Sequence, residues 1–195
     1  MMYIRKIVVF IIGSLSCIIV DAQNSDTTNN FTIGAKIYFD NSGNPGLNEY
    51  QLNVVNYEIN LTQSISNHFG IQTGIHVVTK ATVLVALPFY YHYISIPLGV
   101  KYQNRLFYSM AGVFVDINYN QSSKKTYEFY NLPRIPKSNY GFYYGIGLEK
   151  EINRKVSLSF DFRELVDFES KDKKRTTWRF GMITYGFSFG VNIKM

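Results

Sequence analysis

Apolar and polar side chains alternate without interruption along residues 185–195. One set consists of Tyr185, Phe187, Phe189, Val191, Ile193 and Met195, and the positions between them hold Gly186, Ser188, Gly190, Asn192 and Lys194. Successive side chains of a β-strand point to opposite faces, so a period of two predicts a strand with one apolar face. Its other face carries small or polar side chains, which indicates that it faces a polar space.

The same alternation recurs throughout the chain with variable strength. It is visible in segments 31–40, 50–62, 69–77, 93–102, 107–118, 141–149 and 156–163. Together with the last segment, these predict about eight strands. An even number of strands lets a closed up-and-down barrel begin and end on the same side.

The connections between the predicted strands alternate in length. Short polar turns are expected at 66–68, 103–105 and 153–155, and long connections at 41–48, 79–90, 120–139 and 169–177. Membrane-spanning barrels have short turns at the periplasmic end and long loops outside. The pattern therefore predicts an all-β fold, namely an eight-stranded antiparallel up-and-down transmembrane β-barrel.

The less apolar strand faces distinguish this barrel from a soluble one, which also shows alternation. In a soluble barrel these faces meet water and carry many charges, whereas here Gly, Ser, Asn and Tyr dominate them. The charges that do share this parity are Lys36, Glu58, Lys101, Asp116, Glu149, Asp161, Arg163 and Lys194. Buried charges are costly unless they are paired, so we expect an internal salt-bridge network in a narrow, filled lumen.

The N-terminal segment resembles an export signal. Arg5 and Lys6 precede an apolar run over residues 7–20, and Ala22 completes a small-x-small cleavage site before Gln23. The sequence therefore predicts a cleaved signal peptide at 1–22 and a barrel domain at 23–195. The chain has 16 tyrosines and 15 phenylalanines, with 46% hydrophobic and 17% charged residues, a bias that favours strands.

Several segments resemble the small outer-membrane β-barrel proteins called PorT-like, which are similar in architecture to OmpX- and OmpA-type eight-stranded barrels. The segments are the Ala22-Gln23 junction, residues 60–66 running through a turn into 69–74, residues 94–98 leading to Lys101-Tyr102, and residues 185–190. The resemblance covers most of the mature chain. It implies a Gram-negative outer-membrane location and recognition of the C-terminal strand by the barrel-assembly machinery. Such barrels usually end on an aromatic residue, whereas this chain ends Ile193-Lys194-Met195.

Some eight-stranded barrels modify lipid A, so nucleophiles and bases must be considered. The candidates are His68, His76, His92, Ser95, Ser109 and Glu164. His92 shares the lipid-facing parity and Ser95 the lumen parity, so the two cannot form a dyad within one strand. His76 is expected to be a hydrogen-bonded lumen residue. No metal-ligand spacing and no phosphate-binding glycine loop is present, so we predict no catalytic residue, metal or cofactor.

The two long C-terminal connections are basic. Their cations are Lys124, Lys125, Arg134 and Lys137 in the first, with Lys171, Lys173, Lys174 and Arg175 in the second. They are candidates for binding lipopolysaccharide phosphates or an anionic protein partner, although solvated loops would look the same. Export makes nucleic acid an unsuitable partner. We therefore expect a non-enzymatic barrel whose loops serve binding or envelope integrity, the alternatives being a lipid A-modifying enzyme and a narrow channel.

Overall fold

The computed structural model describes residues 31–43, 52–84, 87–120, 138–168 and 182–195, with backbone only at 82–84, 87–89 and 120. These residues form eight β-strands, all within one compact unit, Phe31–Met195. The strands are β1 Phe31–Gly43, β2 Leu52–Ser64, β3 Phe69–Leu84, β4 Leu87–Asn104, β5 Phe107–Asn120, β6 Ser138–Glu151, β7 Val156–Asp167 and β8 Ile183–Lys194. The predicted signal peptide, 1–22, lies outside the described residues.

Each strand pairs antiparallel with the next, and β1 also pairs with β8. Lys36, for example, lies opposite Glu58 on β2 and opposite Gly190 on β8. The sheet is thus a closed barrel in which no described strand is left with an unpaired edge. The predicted eight-stranded antiparallel up-and-down barrel is confirmed.

The barrel has its apolar side chains outside and its polar side chains inside. Ile59 and Phe107 point outward and are 63% and 67% exposed, while Asp116 and His76 point inward and are 0% and 1% exposed. A soluble barrel would bury the first pair and expose the second. Hydrocarbon is the solvent that suits such an outer face, so the orientation of the side chains excludes the soluble alternative.

Three tight turns were predicted, and all three are present, with shifts of one or two residues. Residues 65–68, 105–106 and 152–155 connect β2 to β3, β4 to β5 and β6 to β7. Ser66 Oγ accepts hydrogen bonds from the backbone N–H groups of His68 and Phe69, and Asn153 Oδ1 accepts from those of Lys155 and Val156. These side chains replace backbone partners in the reversals.

The long connection predicted at 79–90 is wrong. β3 continues to Leu84 and β4 begins at Leu87, so strand pairing occupies most of this range. The sequence from Val83 to Phe89 is apolar apart from Pro88, and a continuous apolar run shows no period of two. The alternation of short and long connections therefore fails between β3 and β4.

The two ends of the barrel can be told apart. The three tight turns lie at one end, together with the start of β1 and the end of β8, where the Met195 N–H donates to the Phe31 carbonyl oxygen. Short turns mark the periplasmic end of an outer-membrane barrel. Strands β1, β3, β5 and β7 end at the opposite, extracellular end, and residues 44–51, 85–86, 121–137 and 169–181, which follow in the chain, lie outside the described residues.

Candidate functional site in the barrel lumen

Arg163 is the centre of the first group of charges inside the barrel. Its Nη1 donates to Glu58 Oε2 at 2.5 Å, and its Nη2 donates to His76 Nδ1 at 2.9 Å. The guanidinium carbon lies 3.9 Å from the centre of the Tyr38 ring. Asn60 Nδ2 donates to the other oxygen of Glu58 at 3.0 Å. The arginine is thus held by a carboxylate, an imidazole and an aromatic face, all of them buried.

A second group joins β1 to β7 across the lumen. Lys36 Nζ lies 2.6 Å from Asp161 Oδ2 and donates to the Tyr108 hydroxyl at 3.2 Å. The same hydroxyl donates to Asp161 Oδ2 at 2.6 Å. Lysine and tyrosine therefore converge on one carboxylate oxygen, which ties three strands together inside the barrel.

Lys80 forms a third group nearer the extracellular end. Its Nζ lies 2.6 Å from Asp116 Oδ2 and also contacts Asp167 Oδ1. The rings of Tyr93 and Phe114 lie 5.3 and 5.1 Å from the ammonium. The sequence reasoning missed Lys80 and Asp167, because residues 79–90 were assigned to a connection and the strand ending at Asp167 was cut short. Lys80 lies two residues after Val78 and four residues after His76, so it shares their parity, and this parity places its side chain in the lumen.

The fourth group lies nearer the periplasmic end. Lys101 Nζ is 2.5 Å from Glu149 Oε2, and the Ser157 hydroxyl donates to Glu149 Oε1. The prediction that Lys194 belongs to the buried network is wrong. Its side chain is 40% exposed and pairs with the exposed Glu151 at the rim, because β8 ends there.

The lumen also contains a buried apolar cluster of Tyr108, Met110, Phe114, Tyr143 and Leu165. Glycines make room for these side chains. An added Cβ at Gly141 would lie 2.6 Å from the Phe114 ring, and one at Gly147 would lie 2.5 Å from the Tyr108 ring. The absence of a side chain at these two glycines therefore leaves room for the Phe114 and Tyr108 rings.

The described lumen carries more acids than bases. Its carboxylates are Asp40, Glu58, Asp116, Glu149, Asp161 and Asp167, and its cations are Lys36, Lys80, Lys101 and Arg163. Six acids against four bases give a formal charge of −2 for this set. Asp40 is the carboxylate with no ion pair among the described residues; Asn56 Nδ2 donates to it at 2.6 Å. The predicted internal network is present and is dominated by carboxylates.

Comparison with protein families identifies this architecture. Residues 10–193 match the family described as the outer membrane protein beta-barrel domain. The chain belongs to this family. No curated protein sequence matches the chain. The family and the outward apolar surface both support an outer-membrane location.

Solved structures of outer-membrane barrels resemble this family member in fold. Neisserial surface protein A is 11% identical, with a TM-score of 0.59 over 85% of this chain and 97% of its own. OprG from Pseudomonas aeruginosa is 11% identical, with a TM-score of 0.55 over 86% and 96%. Ail, the attachment invasion locus protein of Yersinia pestis, is 12% identical, with a TM-score of 0.52 over 86% and 99%. At this level of identity the likeness is one of fold alone.

The candidate catalytic residues of this outer-membrane barrel are dispersed. His92 points outward, with Nδ1 3.1 Å from the Thr79 hydroxyl, while Ser95 points inward and is buried. This confirms that the two side chains point apart. Ser109 also points outward, and His68 lies in the β2–β3 turn. Glu164 points outward and accepts a hydrogen bond from the Tyr144 hydroxyl at 2.5 Å.

One juxtaposition escaped the sequence reasoning, because it depends on strand register. His76 lies directly opposite Ser95, and both side chains are 1% exposed. A Ser–His pair needs the imidazole to accept the serine proton and a substrate to reach the oxygen. In this structure the His76 atoms Nδ1 and Nε2 instead lie 2.9 and 3.3 Å from Arg163 Nη2. The geometry therefore suits a structural imidazole, as predicted for His76.

The basic candidates Lys124, Lys125, Arg134, Lys137, Lys171, Lys173, Lys174 and Arg175 lie outside the described residues. Among the residues that are described, no group of three or more His, Cys, Asp and Glu side chains could hold a metal ion. In the same part of the chain, no helix is long and apolar enough to cross a membrane.

Proposed function

We propose that the protein is a non-enzymatic, integral outer-membrane barrel with a closed lumen, and that its extracellular loops bind anionic groups at the cell surface. The occupied lumen is the observation that carries the proposal. Four groups of ion pairs and an apolar cluster fill the space between the strands, and the lumen side chains of Arg163, Asp161 and Lys80 are at most 3% exposed. Because side chains occupy the lumen, we expect binding to take place on the other surfaces of the barrel.

The closed lumen argues against the narrow-channel alternative. Ion pairs cross the barrel from β1 to β7, from β2 to β7 and from β3 to β5 and β7. An ion passing through would have to separate these pairs, each of which is desolvated and costly to break. In planar bilayers the purified protein is expected to give no stable conductance steps, and regular steps would favour the channel.

The geometry also argues against the lipid A-modifying enzyme. The buried His76 and Ser95 face the lumen rather than the outer leaflet, and His92 has no serine on its own face of β4 among the described residues. Deletion of the gene is expected to leave the acylation and phosphorylation pattern of lipid A unchanged in mass spectra. A changed pattern, restored by the wild-type gene but not by a Ser95→Ala variant, would favour the enzyme.

The loops are proposed as the binding surface because of their charge. Nine lysines and arginines occupy the two connections 121–137 and 169–181: the eight predicted candidates and Arg179. Ail, which shares the fold, has been solved in complex with the heparin analogue sucrose octasulfate, a densely anionic ligand. Lipopolysaccharide phosphates present similar chemistry beside the extracellular end of a barrel. We further propose that residues 1–22 are removed on export and that β8 is recognised by the barrel-assembly machinery.

A charge-matched comparison tests the loop proposal. One variant replaces Lys171, Lys173, Lys174 and Arg175 with Gln, and the control replaces four cations at the periplasmic end, Arg105, Lys150, Arg154 and Lys155, with Gln. Both lose the same formal charge. Binding of each protein to immobilised heparin and to lipopolysaccharide is measured as a function of salt.

The loop variant should dissociate at clearly lower salt than the wild type, because ionic contacts govern the binding, and the control should shift much less. Equal shifts in both variants would show that net charge, rather than the extracellular loops, accounts for binding. Absence of binding by the wild type at low salt would contradict the proposal directly.

A further inference from the structure

The membrane-facing wall of the barrel carries one conspicuous carboxylate. Among the described strand residues, only Glu164 and Lys150 combine an outward direction with a formal charge. Lys150 is the penultimate residue of β6, beside a periplasmic turn, where charge is common. Glu164 lies within β7, with outward apolar neighbours Phe162 and Val166 on the same strand. A charged side chain in this environment is costly and is retained where it has a partner.

Its depth places Glu164 in the outer leaflet. Glu164 lies eight positions after Val156, which is at the periplasmic end of β7. At a rise of about 3.3 Å per residue and a tilt of about 40°, this corresponds to about 20 Å along the barrel axis. The apolar band of an outer-membrane barrel is about 25 Å tall. The carboxylate thus lies close to the headgroup edge of the band, where a glutamate side chain can extend toward lipid headgroups.

Polar outward side chains continue from Glu164 across neighbouring strands. Strand register places Glu164 beside Tyr144 on β6 and Tyr185 on β8, and Tyr185 lies beside Asn41 on β1, which lies beside Asn53 on β2. Five strands therefore contribute polar outward groups to a single row. Since the outward positions elsewhere on these strands are largely apolar, the row marks one patch of the wall.

The chemistry around the carboxylate suits an ammonium group. The Tyr144 hydroxyl donates to Glu164 Oε2 at 2.5 Å, which orients the carboxylate within the patch. Aromatic side chains are its neighbours on the outer wall. The ring centres of Phe162, two residues before Glu164, and Tyr185, opposite it on β8, lie 6.4 Å apart. The Phe142 ring stacks beside the Tyr144 ring, with 6.3 Å between their centres. Carboxylates attract cations and aromatic faces attract ammonium groups, whereas a headgroup that carries phosphate without an ammonium would be repelled. No described cation faces Glu164 from the outer wall.

We propose that Glu164, with Tyr144 as its positioning residue, binds a lipid headgroup that carries a primary ammonium in the outer leaflet. Lipid is the occupant because this wall contacts the membrane at headgroup depth. A primary ammonium supplies both the compensating charge and N–H donors for the carboxylate. The site lies on the outer wall and is independent of the loop binding proposed above.

Native mass spectrometry of the full-length protein in a neutral detergent provides the test. The protein is mixed with equal amounts of phosphatidylethanolamine and phosphatidylcholine of identical acyl chains, which differ only in the substituents on nitrogen. The variant Glu164→Gln keeps size and polarity but removes the charge. Glu151→Gln makes the same change at the periplasmic rim and serves as the matched control. Heat-modifiable mobility confirms that each variant is folded.

Wild type and Glu151→Gln should retain phosphatidylethanolamine over phosphatidylcholine by about fivefold, as expected for one partly exposed ionic contact. Glu164→Gln should lose that preference. Equal retention of both lipids by the wild type, or an unchanged preference in Glu164→Gln, would overturn the proposal. A preference that emerges only when Lys171, Lys173, Lys174 and Arg175 are replaced would show that the loop neutralises Glu164 and would also overturn it.

Discussion

Replacement of Arg163 by Met tests whether the lumen network holds the barrel together. The variant removes the guanidinium that donates to Glu58 and leaves this buried carboxylate with two neutral donors, Asn60 Nδ2 at 3.0 Å and the Tyr38 hydroxyl at 3.4 Å. Methionine fills a similar volume, so the change is mainly one of charge. Removing one partner of a buried pair leaves an uncompensated charge and costs about 3–5 kcal/mol.

The neighbouring charges make the loss of Arg163 more destabilising than the loss of the Glu58 charge. The groups around Arg163 contain the cations Arg163 and Lys36 and the carboxylates Glu58, Asp40 and Asp161. Without Arg163, one cation faces three carboxylates, whereas without the charge of Glu58, two cations face two. Glu58→Gln should therefore cost only about 1–2 kcal/mol, the loss of a charged hydrogen bond. Combined with Arg163→Met, it should restore part of the lost stability.

Urea unfolding in phospholipid vesicles, followed by circular dichroism and by heat-modifiable mobility, measures the four proteins of this cycle. The double variant is expected to be more stable than Arg163→Met alone. The reasoning is refuted if Arg163→Met lies within 1 kcal/mol of the wild type, or if the two single effects simply add, since either result means that the pair is not coupled.

Two further pairs of substitutions probe the lumen with the same unfolding assay. Lys80→Met leaves Asp116 and Asp167 without their shared cation and should lower the free energy of unfolding by about 3 kcal/mol or more. Adding Asp167→Asn to this variant should recover part of the lost stability. Full stability of Lys80→Met would contradict this reasoning. Gly112→Ala places a Cβ 2.3 Å from a backbone oxygen of β4 and should cost about 1–3 kcal/mol. Gly70→Ala, whose nearest contacts are 3.0 Å, should cost clearly less, and equal losses would argue against the packing explanation.

The fold was predictable because its signal is local. A period of two needs only neighbouring residues, and residues 185–195 show it without interruption, so β8 was found almost to the residue. The prediction failed at 79–90, where Val83 to Phe89 is apolar on both parities and the period disappears. That error removed Lys80 from the predicted lumen charges, and Lys80 is the cation that pairs with both Asp116 and Asp167.

The sequence pattern did not predict which lumen charges form ion pairs, because the pairing depends on geometry across the barrel. Lys36 lies opposite Glu58 in the strand register, yet its partner is Asp161, 125 residues away, and Glu58 instead binds Arg163. The tilt and stagger of the strands decide which side chains meet across the lumen. Parity predicts which charges face inward; closure of the barrel determines how they combine.

Stability and binding are assigned to different surfaces of this barrel, and the experiments can separate them. The ion pairs of the lumen connect strands that are distant in sequence, so substitutions there should change unfolding while leaving the outer wall and the loops unaltered. Glu164→Gln should do the opposite, because its side chain points away from every lumen pair. A lumen variant that stays folded yet changes lipid or heparin binding would mean that the two surfaces are coupled through the strands, and the closed lumen would then need a functional explanation as well as a structural one.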